Sequence, residues 1–571
     1  MARQHTRFFL RLPVVILLFL SSLSIASARK KTDADPPEVA LGERLFIETR
    51  FAQAFKVFLG AGGVVNGAGA NDPVMNNTVK ALGAPLAGPF AGQSMNCRAC
   101  HLVDEHVDTP GGGMSTYNDF ARRTPIPARP EDTKTTTPRN SPPLVNASLE
   151  RNNGLQFHFD AEFVSLEDLV AGAFTGRNFG WRPGEANQAI AQVARIIRED
   201  DGTGELAQEF GGLSYAQVLT GTGPIPQEFR LPTSFRVHVK NASDAEIFAA
   251  VNKLVAAYTR QLEFSRGPDG NFNLSPYDVF LNVNGLPKAP NKNESAIDYS
   301  RRLLGRINQL DSQGKLKFVT SNPATQDGQF KFHSQSFQFT QAELDGLRMF
   351  FHEPQALPAS TGELAAGRIG NCLACHAAPN FTDFRFHNTG TAQSEYDSVH
   401  SAGSFATLIV PDLATRNANP NSYLPATGLH PNAAEPFRSV PHSADFSLTD
   451  LGVWNIFANP DFPKPQSNLT QILCQQLTGT VPDCAPATLL PKTIAIFKTP
   501  GLRDLSHSAP YMHTGQFDTL DQIVQFYVDS ANKGRAGTLR NGARELTGIA
   551  LQPADAANLV AFLRALNEDY E

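Results

Sequence analysis

Cysteine and tryptophan are scarce in this chain of 571 residues, with six of the first and two of the second. That is too few thiols for a scaffold stapled by disulfides. Positive charge is short as well: 49 Lys+Arg stand against 55 Asp+Glu, for a formal net charge of -6. A nucleic-acid polyanion calls for a basic surface, so DNA and RNA are set aside as partners. Long apolar runs are confined to the N-terminus. There Arg3, Arg7 and Arg11 precede a mostly apolar stretch at 12–25 that ends in Ala26-Ser27-Ala28. This is the pattern of a cleaved export signal, and the stretch is shorter than the ~20 residues of a bilayer span. Residues 1–28 are read as signal peptide, which makes the mature protein periplasmic or secreted and leaves it without a membrane span. Glycine (44) and proline (40) are plentiful, and 41% of residues are hydrophobic. A chain of this length exceeds one core, so several domains joined by long loops are expected.

Four of the six cysteines fall in two copies of one pattern, Cys97-Arg98-Ala99-Cys100-His101 and Cys372-Leu373-Ala374-Cys375-His376. Two thiols three positions apart reach both vinyl groups of one porphyrin, and the adjoining histidine is held under the ring to ligate iron. This is the attachment motif of c-type haem. A zinc site built from both Cys-x-x-Cys pairs, or a thioredoxin-like redox pair, is the competing reading. The wide separation of the pairs and the histidine after each one favour haem. Cys474 and Cys484 stand apart from both motifs and are expected to pair as a disulfide in an oxidising compartment.

The motifs divide the chain into halves with the same order of parts: an entry segment, the haem motif, a loop-rich stretch and a closing amphipathic helix. In the first half Ser243 and Glu246 spell a capping box, and Ile247, Val251, Leu254, Tyr258 and Leu262 repeat at helical spacing. In the second half Leu559, Phe562, Leu563 and Leu566 form the matching stripe after Pro553. The fold class expected is mainly α, two cytochrome c-like haem domains packed together with long loops and insertions. The N-terminal domain (haem 1) spans 29–266 and the C-terminal domain (haem 2) 336–571. Residues 267–335, broken by prolines and rich in Gln, Ser and Asn, read as linker and insertion with one helical patch around 299–310.

The chain resembles the bacterial di-haem cytochrome c peroxidase and MauG family. The resemblance rests on Leu41-Gly42-Glu43-Arg44-Leu45-Phe46, on Arg139-Asn140-Ser141-Pro142-Pro143-Leu144-Val145-Asn146, on Asn380-Phe381-Thr382-Asp383, on Lys498-Thr499-Pro500-Gly501-Leu502-Arg503 and on Ala509-Pro510-Tyr511-Met512-His513. It implies two all-α domains with a calcium ion between them, held by the Asn140 side chain and the carbonyls of Ser508 and Pro510. It also implies that one haem reacts with peroxide while the other passes electrons.

Three departures from the family pattern bear on chemistry. Where resting peroxidases carry a distal histidine, this chain has Asp132, so haem 1 is expected to keep an open position unless Met114 or His106 closes it. The family's distal Gln and Glu align with Leu169 and about Phe179, and its inter-haem Trp with Phe159; Asp160, Glu162 or Glu167 are the candidates to replace the lost acid-base group. Fourteen positions after His513, where the peroxidases supply Met, stands Tyr527. It is read as a phenolate ligand of haem 2, or alternatively as a core residue in the stripe Leu520, Ile523, Val524 and Tyr527, which would return the ligand search to Met512 or another side chain. Trp181 and Trp454 are read as packing residues or electron relays. The reading that results is an exported di-haem c-type oxidoreductase, peroxidase-like, using hydrogen peroxide or oxygen at haem 1 and relaying electrons through haem 2. Its external donor would be a small cytochrome or cupredoxin. The alternatives are a di-haem electron carrier, or an oxygenase acting on an organic substrate from an apolar cavity beside haem 1.

Overall fold

A computed structural model of the chain describes residues 35–66, 95–97, 100–101, 123–124, 126–149, 151, 154–323, 325–330, 335–478 and 484–568. The expected signal segment, His106 and Met114 lie outside the described residues. The fold is mainly helical. Among the described residues the only named sheet is a pair of two-residue strands, β1 (Phe386–His387) and β2 (Phe497–Lys498), which run antiparallel. No helix among them is long and apolar enough to cross a membrane.

The first core gathers residues between Val39 and Phe272 around α1 (Pro37–Phe46), α2 (Leu166–Thr175), α3 (Ala186–Glu199) and α4 (Asp244–Gln261). Ser243 and Glu246 cap α4 reciprocally, the Ser243 hydroxyl accepting from Glu246 N at 3.3 Å and Glu246 Oε2 accepting from Ser243 N at 2.8 Å. The apolar stripe then buries Ile247, Val251, Leu254, Tyr258 and Leu262. Helix α1 crosses α4 at Gly42, where a Cβ would collide with the Leu254 carbonyl and with Tyr258. The absent side chain is what lets the two backbones touch.

The second half repeats this device. Its core joins α5 (Pro276–Val283), α6 (Ala296–Ser312), α7 (Gln341–Phe351), α8 (Leu520–Arg535) and α9 (Ala556–Arg564). Helix α7 crosses α9 at Gly346, where a Cβ would collide with the Asn558 carbonyl and with Phe562. The stripe Leu559, Phe562, Leu563 and Leu566 is buried.

Two features differ from the sequence reading. Residues 267–335 are no linker: Tyr277, Phe280, Leu281, Tyr299, Leu303 and Ile307 are part of the second core. Pro276 sits at the first turn of α5, where its missing N–H costs nothing, behind a capping box of Ser275 and Asp278. It starts a helix there rather than breaking one. Residues between 386 and 497 build a third core, centred on Leu451, Trp454, Phe457, Leu469 and Leu473 and joined by Ala161 from the first half. The β1–β2 pairing, Phe386 with Lys498 and His387 with Phe497, pinches the base of this excursion from the C-terminal haem unit. Cys474 and Cys484 are joined within it as a disulfide. Trp181 and Trp454 are fully buried, in the first and third cores respectively.

Candidate functional site

Both Cys-x-x-Cys-His motifs fold into the same turn. Cys97 O accepts from Cys100 N at 3.1 Å and His101 N at 2.9 Å, and Cys372 O accepts from Cys375 N at 3.2 Å and His376 N at 2.8 Å. None of the four cysteines is in a disulfide. In each ring Nδ1 lies against a backbone carbonyl: His101 donates to Pro142 O at 3.0 Å, and His376 to Phe381 O at 2.8 Å. That bond commits the proton to Nδ1 and leaves Nε2 as the ligand atom. Burial pulls the His101 imidazole down to about 4 and lowers His376 in the same sense, so both rings are neutral at pH 7, as an iron ligand must be. Paired thiols with a neutral, tethered imidazole beside them fit covalent haem at each motif.

At the first motif the chain leaves a cavity of about 460 Å³, walled by Cys97, Cys100 and His101. Leu169 of α2, Phe179 and Phe159 line it, so this part of its wall is apolar. Polar groups enter from the loop 157–163, closed by Phe157 N donating to Phe163 O at 2.8 Å, with His158 and Ala161 at positive φ (61° and 60°). His158 Nδ1 lies 3.0 Å from Glu162 Oε2, and Glu162 also accepts from Arg438 of the third unit. Burial pushes the Glu162 carboxyl up, but Arg438 and His158 more than offset it and hold the group well below the usual carboxylate range.

The three candidate carboxylates separate clearly. Glu162 lines the cavity. Asp160 is fully buried behind it, 2.6 Å from Arg139. Glu167 is partly exposed on α2, ion-paired to Arg260 at 2.6 Å, and does not line the cavity. His158 escaped the sequence reading; its signal was the spacing of four residues to Glu162. Asp132 is ion-paired with Arg177 at 2.7 Å.

Between the two haem units, His513 stacks on Phe497 (ring centroids 3.6 Å apart) with Phe159 at 6.1 Å. Asn140 Nδ2 donates to Pro510 O at 2.6 Å, and Asn140 N to His513 O at 2.6 Å. Two of the expected calcium ligands are therefore adjacent, and Ser508 lines the same cavity as Asn140. Tyr527, on α8, packs against Ala531, Leu539 and Leu546. Burial pushes its phenol up, and its titratable neighbours Cys375 and Cys372 act in the same direction, which puts the side chain beside the second motif.

No family profile matches the chain. It is 29% identical over 206 residues to the cytochrome-c peroxidase IdrP2 of Denitromonas iodatirespirans, a match covering 36% of this chain and 38% of that protein. It is 33% identical over 73 residues to the methylamine utilization protein MauG of Methylorubrum extorquens, covering 13% and 19%. The chain thus matches less than half the length of these curated relatives. Among solved structures it is similar to the diheme peroxidase BthA of Burkholderia thailandensis, with a TM-score of 0.41 and 16% identity over 94% of this chain and 88% of that one. It is also similar to a MauG-like protein associated with microbial copper homeostasis, with a TM-score of 0.34 and 16% identity over 95% and 91%. Over part of its length the chain is therefore similar in sequence to cytochrome-c peroxidases and to MauG.

Proposed function

We propose that this protein is an exported di-haem c-type oxidoreductase that reacts with hydrogen peroxide, or oxygen, at haem 1 and exchanges electrons with an external donor through haem 2. The observation that carries the reading is the pair of matching Cys-x-x-Cys-His turns, one of which opens on a cavity with an acid-base pair in its wall. Haem bound at the two motifs would supply the redox-active iron. Cys97, Cys100 and His101 would hold haem 1, and Cys372, Cys375 and His376 haem 2. Tyr527, beside the second motif, would offer haem 2 a phenolate oxygen. Asn140 with the carbonyls of Ser508 and Pro510 would hold calcium, a cation that takes such neutral oxygens.

The proton work falls to His158. Glu162, kept ionised by Arg438, accepts the Nδ1–H of His158, and this leaves Nε2 to take a proton from the incoming oxidant and return it to the departing oxygen. Leu169 and Phe179 keep the facing wall dry. Lys134, Arg177, Glu435 and Arg438 are among the cavity's other lining residues. The test is direct. Pyridine haemochrome analysis should give two covalent haems, electron paramagnetic resonance of the ferric protein should include a high-spin signal from haem 1, and peroxide added without prior reduction should change the Soret band within seconds. Two low-spin haems and no spectral response would overturn the peroxidase reading in favour of an electron carrier.

A further inference from the structure

Seven cations line the haem 1 cavity, and five of them have an acid: Lys134 with Glu435, Arg139 with Asp450, Arg177 with Asp132, Arg438 with Glu162 and Arg503 with Asp278. Lys498 and Arg151 have none among the described residues. Lys498 Nζ makes one hydrogen bond, to the Gln156 carbonyl at 3.0 Å. Arg151 Nε donates to Leu149 O at 3.3 Å and the guanidinium lies 4.4 Å from the centre of the Phe384 ring, while its Nη1 is buried with no partner. The nearest buried acid, Asp160, is already held by Arg139 and Arg438. Burial accordingly pulls the Lys498 ammonium down to about 7, with Arg151 pushing the same way and Asp160 opposing, and burial pulls Arg151 down to about 10.

Withdrawing a cation from water without a counter-charge costs several kcal/mol, so two such groups side by side call for an anion that the chain itself does not provide. Phe384, under the guanidinium, leaves the planar donor fork of Arg151 to bind a planar acceptor, which is how arginine takes a carboxylate. The same cavity contains Cys97, Cys100 and His101, and the macrocycle those residues attach carries two carboxylates of its own.

We propose that Arg151 and Lys498 form a carboxylate-binding pair whose ligand is the propionates of haem 1. The proposal rests on haem attachment at Cys97 and Cys100. The pair neutralises the propionates, fixes the in-plane rotation of the ring against the thioether bonds and, by adding positive charge beside it, makes haem 1 easier to reduce.

The experiment compares full-length holoprotein with Lys498→Met, with Arg151→Gln and with the charge-keeping Lys498→Arg. Three readouts are needed: covalent haem count, reductive titration of haem 1, and the propionate-bending bands in resonance Raman spectra. The count should stay at two. Each lost cation should make haem 1 harder to reduce, lowering its reduction equilibrium constant roughly tenfold, and should shift the propionate bands; Lys498→Arg should behave as wild type. Two haems with unchanged potential and unchanged bands in both neutral variants would overturn the proposal. A wild-type count of one would instead remove haem 1 itself, and with it the reading on which the proposal rests. If added succinate shifts the wild-type Soret band saturably, and the neutral variants lose that shift while keeping their propionate bands, the ligand is a free carboxylate and the propionate assignment falls.

Discussion

Glu162 is a half-buried carboxylate whose ionisation depends on two neighbours, Arg438 and His158. Glu162→Gln keeps the shape and removes the charge that fixes the His158 tautomer. Peroxide reaction at haem 1 should slow by about 10²-fold, the lower end of what a positioned acid-base group contributes, while the haem count stays at two. The same substitution changes the response to acid. A carboxyl held below its unfolded pKa of ~4.3 stabilises the fold above that value and loses this contribution as pH falls through its folded value. The wild type should therefore lose stability below about pH 4 by a component that Glu162→Gln lacks, seen as converging urea midpoints. Equal peroxide rates in the two proteins would remove the His158–Glu162 pair from the mechanism. Tyr527 poses a sharper alternative. Burial keeps its phenol protonated unless a cation compensates, and ferric iron is such a cation. If Tyr527 ligates haem 2, Tyr527→Phe removes an anionic donor, raises that haem's potential and changes its spin state; if it only packs against Leu539 and Leu546, both stay unchanged. At this scale the sequence was uneven. The motif residues announced themselves, whereas His158, a lone histidine between two phenylalanines, gained meaning only when the loop 157–163 brought it onto Glu162.

The two haem units share a helix crossing that needs glycine, and local chemistry explains both why it was legible and where reading failed. Gly42 stood in the motif Leu41-Gly42-Glu43-Arg44-Leu45-Phe46 that carried the resemblance, but Gly346 did not, and only the contact of α7 with α9 shows the two to be equivalent. Replacing a helical glycine by alanine normally stabilises by about 1 kcal/mol. At Gly346 the added methyl meets the Asn558 carbonyl and Phe562, and overpacking of this kind costs about 1–3 kcal/mol. Gly346→Ala should therefore lower the denaturant midpoint of the protein, and a variant more stable than wild type would show that the helices can separate without penalty. Capping was the most dependable local signal, since the Ser243–Glu246 box predicted from sequence starts α4. The same signal lay unread at Ser275 and Asp278 because the proline between them was taken as a break, and this cost the sequence reading a whole layer of the second core.

At the scale of the molecule, the third unit was invisible in the sequence because its core is built from loops and short helices. Leu451, Val453, Trp454, Ile456 and Phe457 are buried, yet they show no period that marks a strand or a helix. This unit meets the haem 1 unit through ion pairs of different depth. Arg139 binds Asp450 with Nε at 2.5 Å and Nη2 at 2.8 Å, both side chains buried, whereas Lys464 and Asp168 meet at 2.6 Å with the lysine largely exposed. An exposed pair is worth about 0–1 kcal/mol, and breaking a buried one about 3–5 kcal/mol, because the surviving charge is left without water or partner. Arg139→Ala, which strands Asp450 and leaves Asp160 with Arg438 alone, should accordingly destabilise the protein at pH 7 far more than Lys464→Ala. Acidity supplies the control. Burial pushes the Asp450 carboxyl up, and Arg139 more than offsets it, holding the group at about 2. The stability tied to that ion pair is present above the ordinary Asp value of ~3.9 and is lost as pH falls toward 2. In Arg139→Ala the carboxyl takes up its proton at higher pH and stops being a stranded charge. The gap in unfolding free energy between wild type and Arg139→Ala should therefore narrow from pH 7 to pH 3. A gap that is the same at both pH values would show that the third unit is attached by packing rather than by this pair.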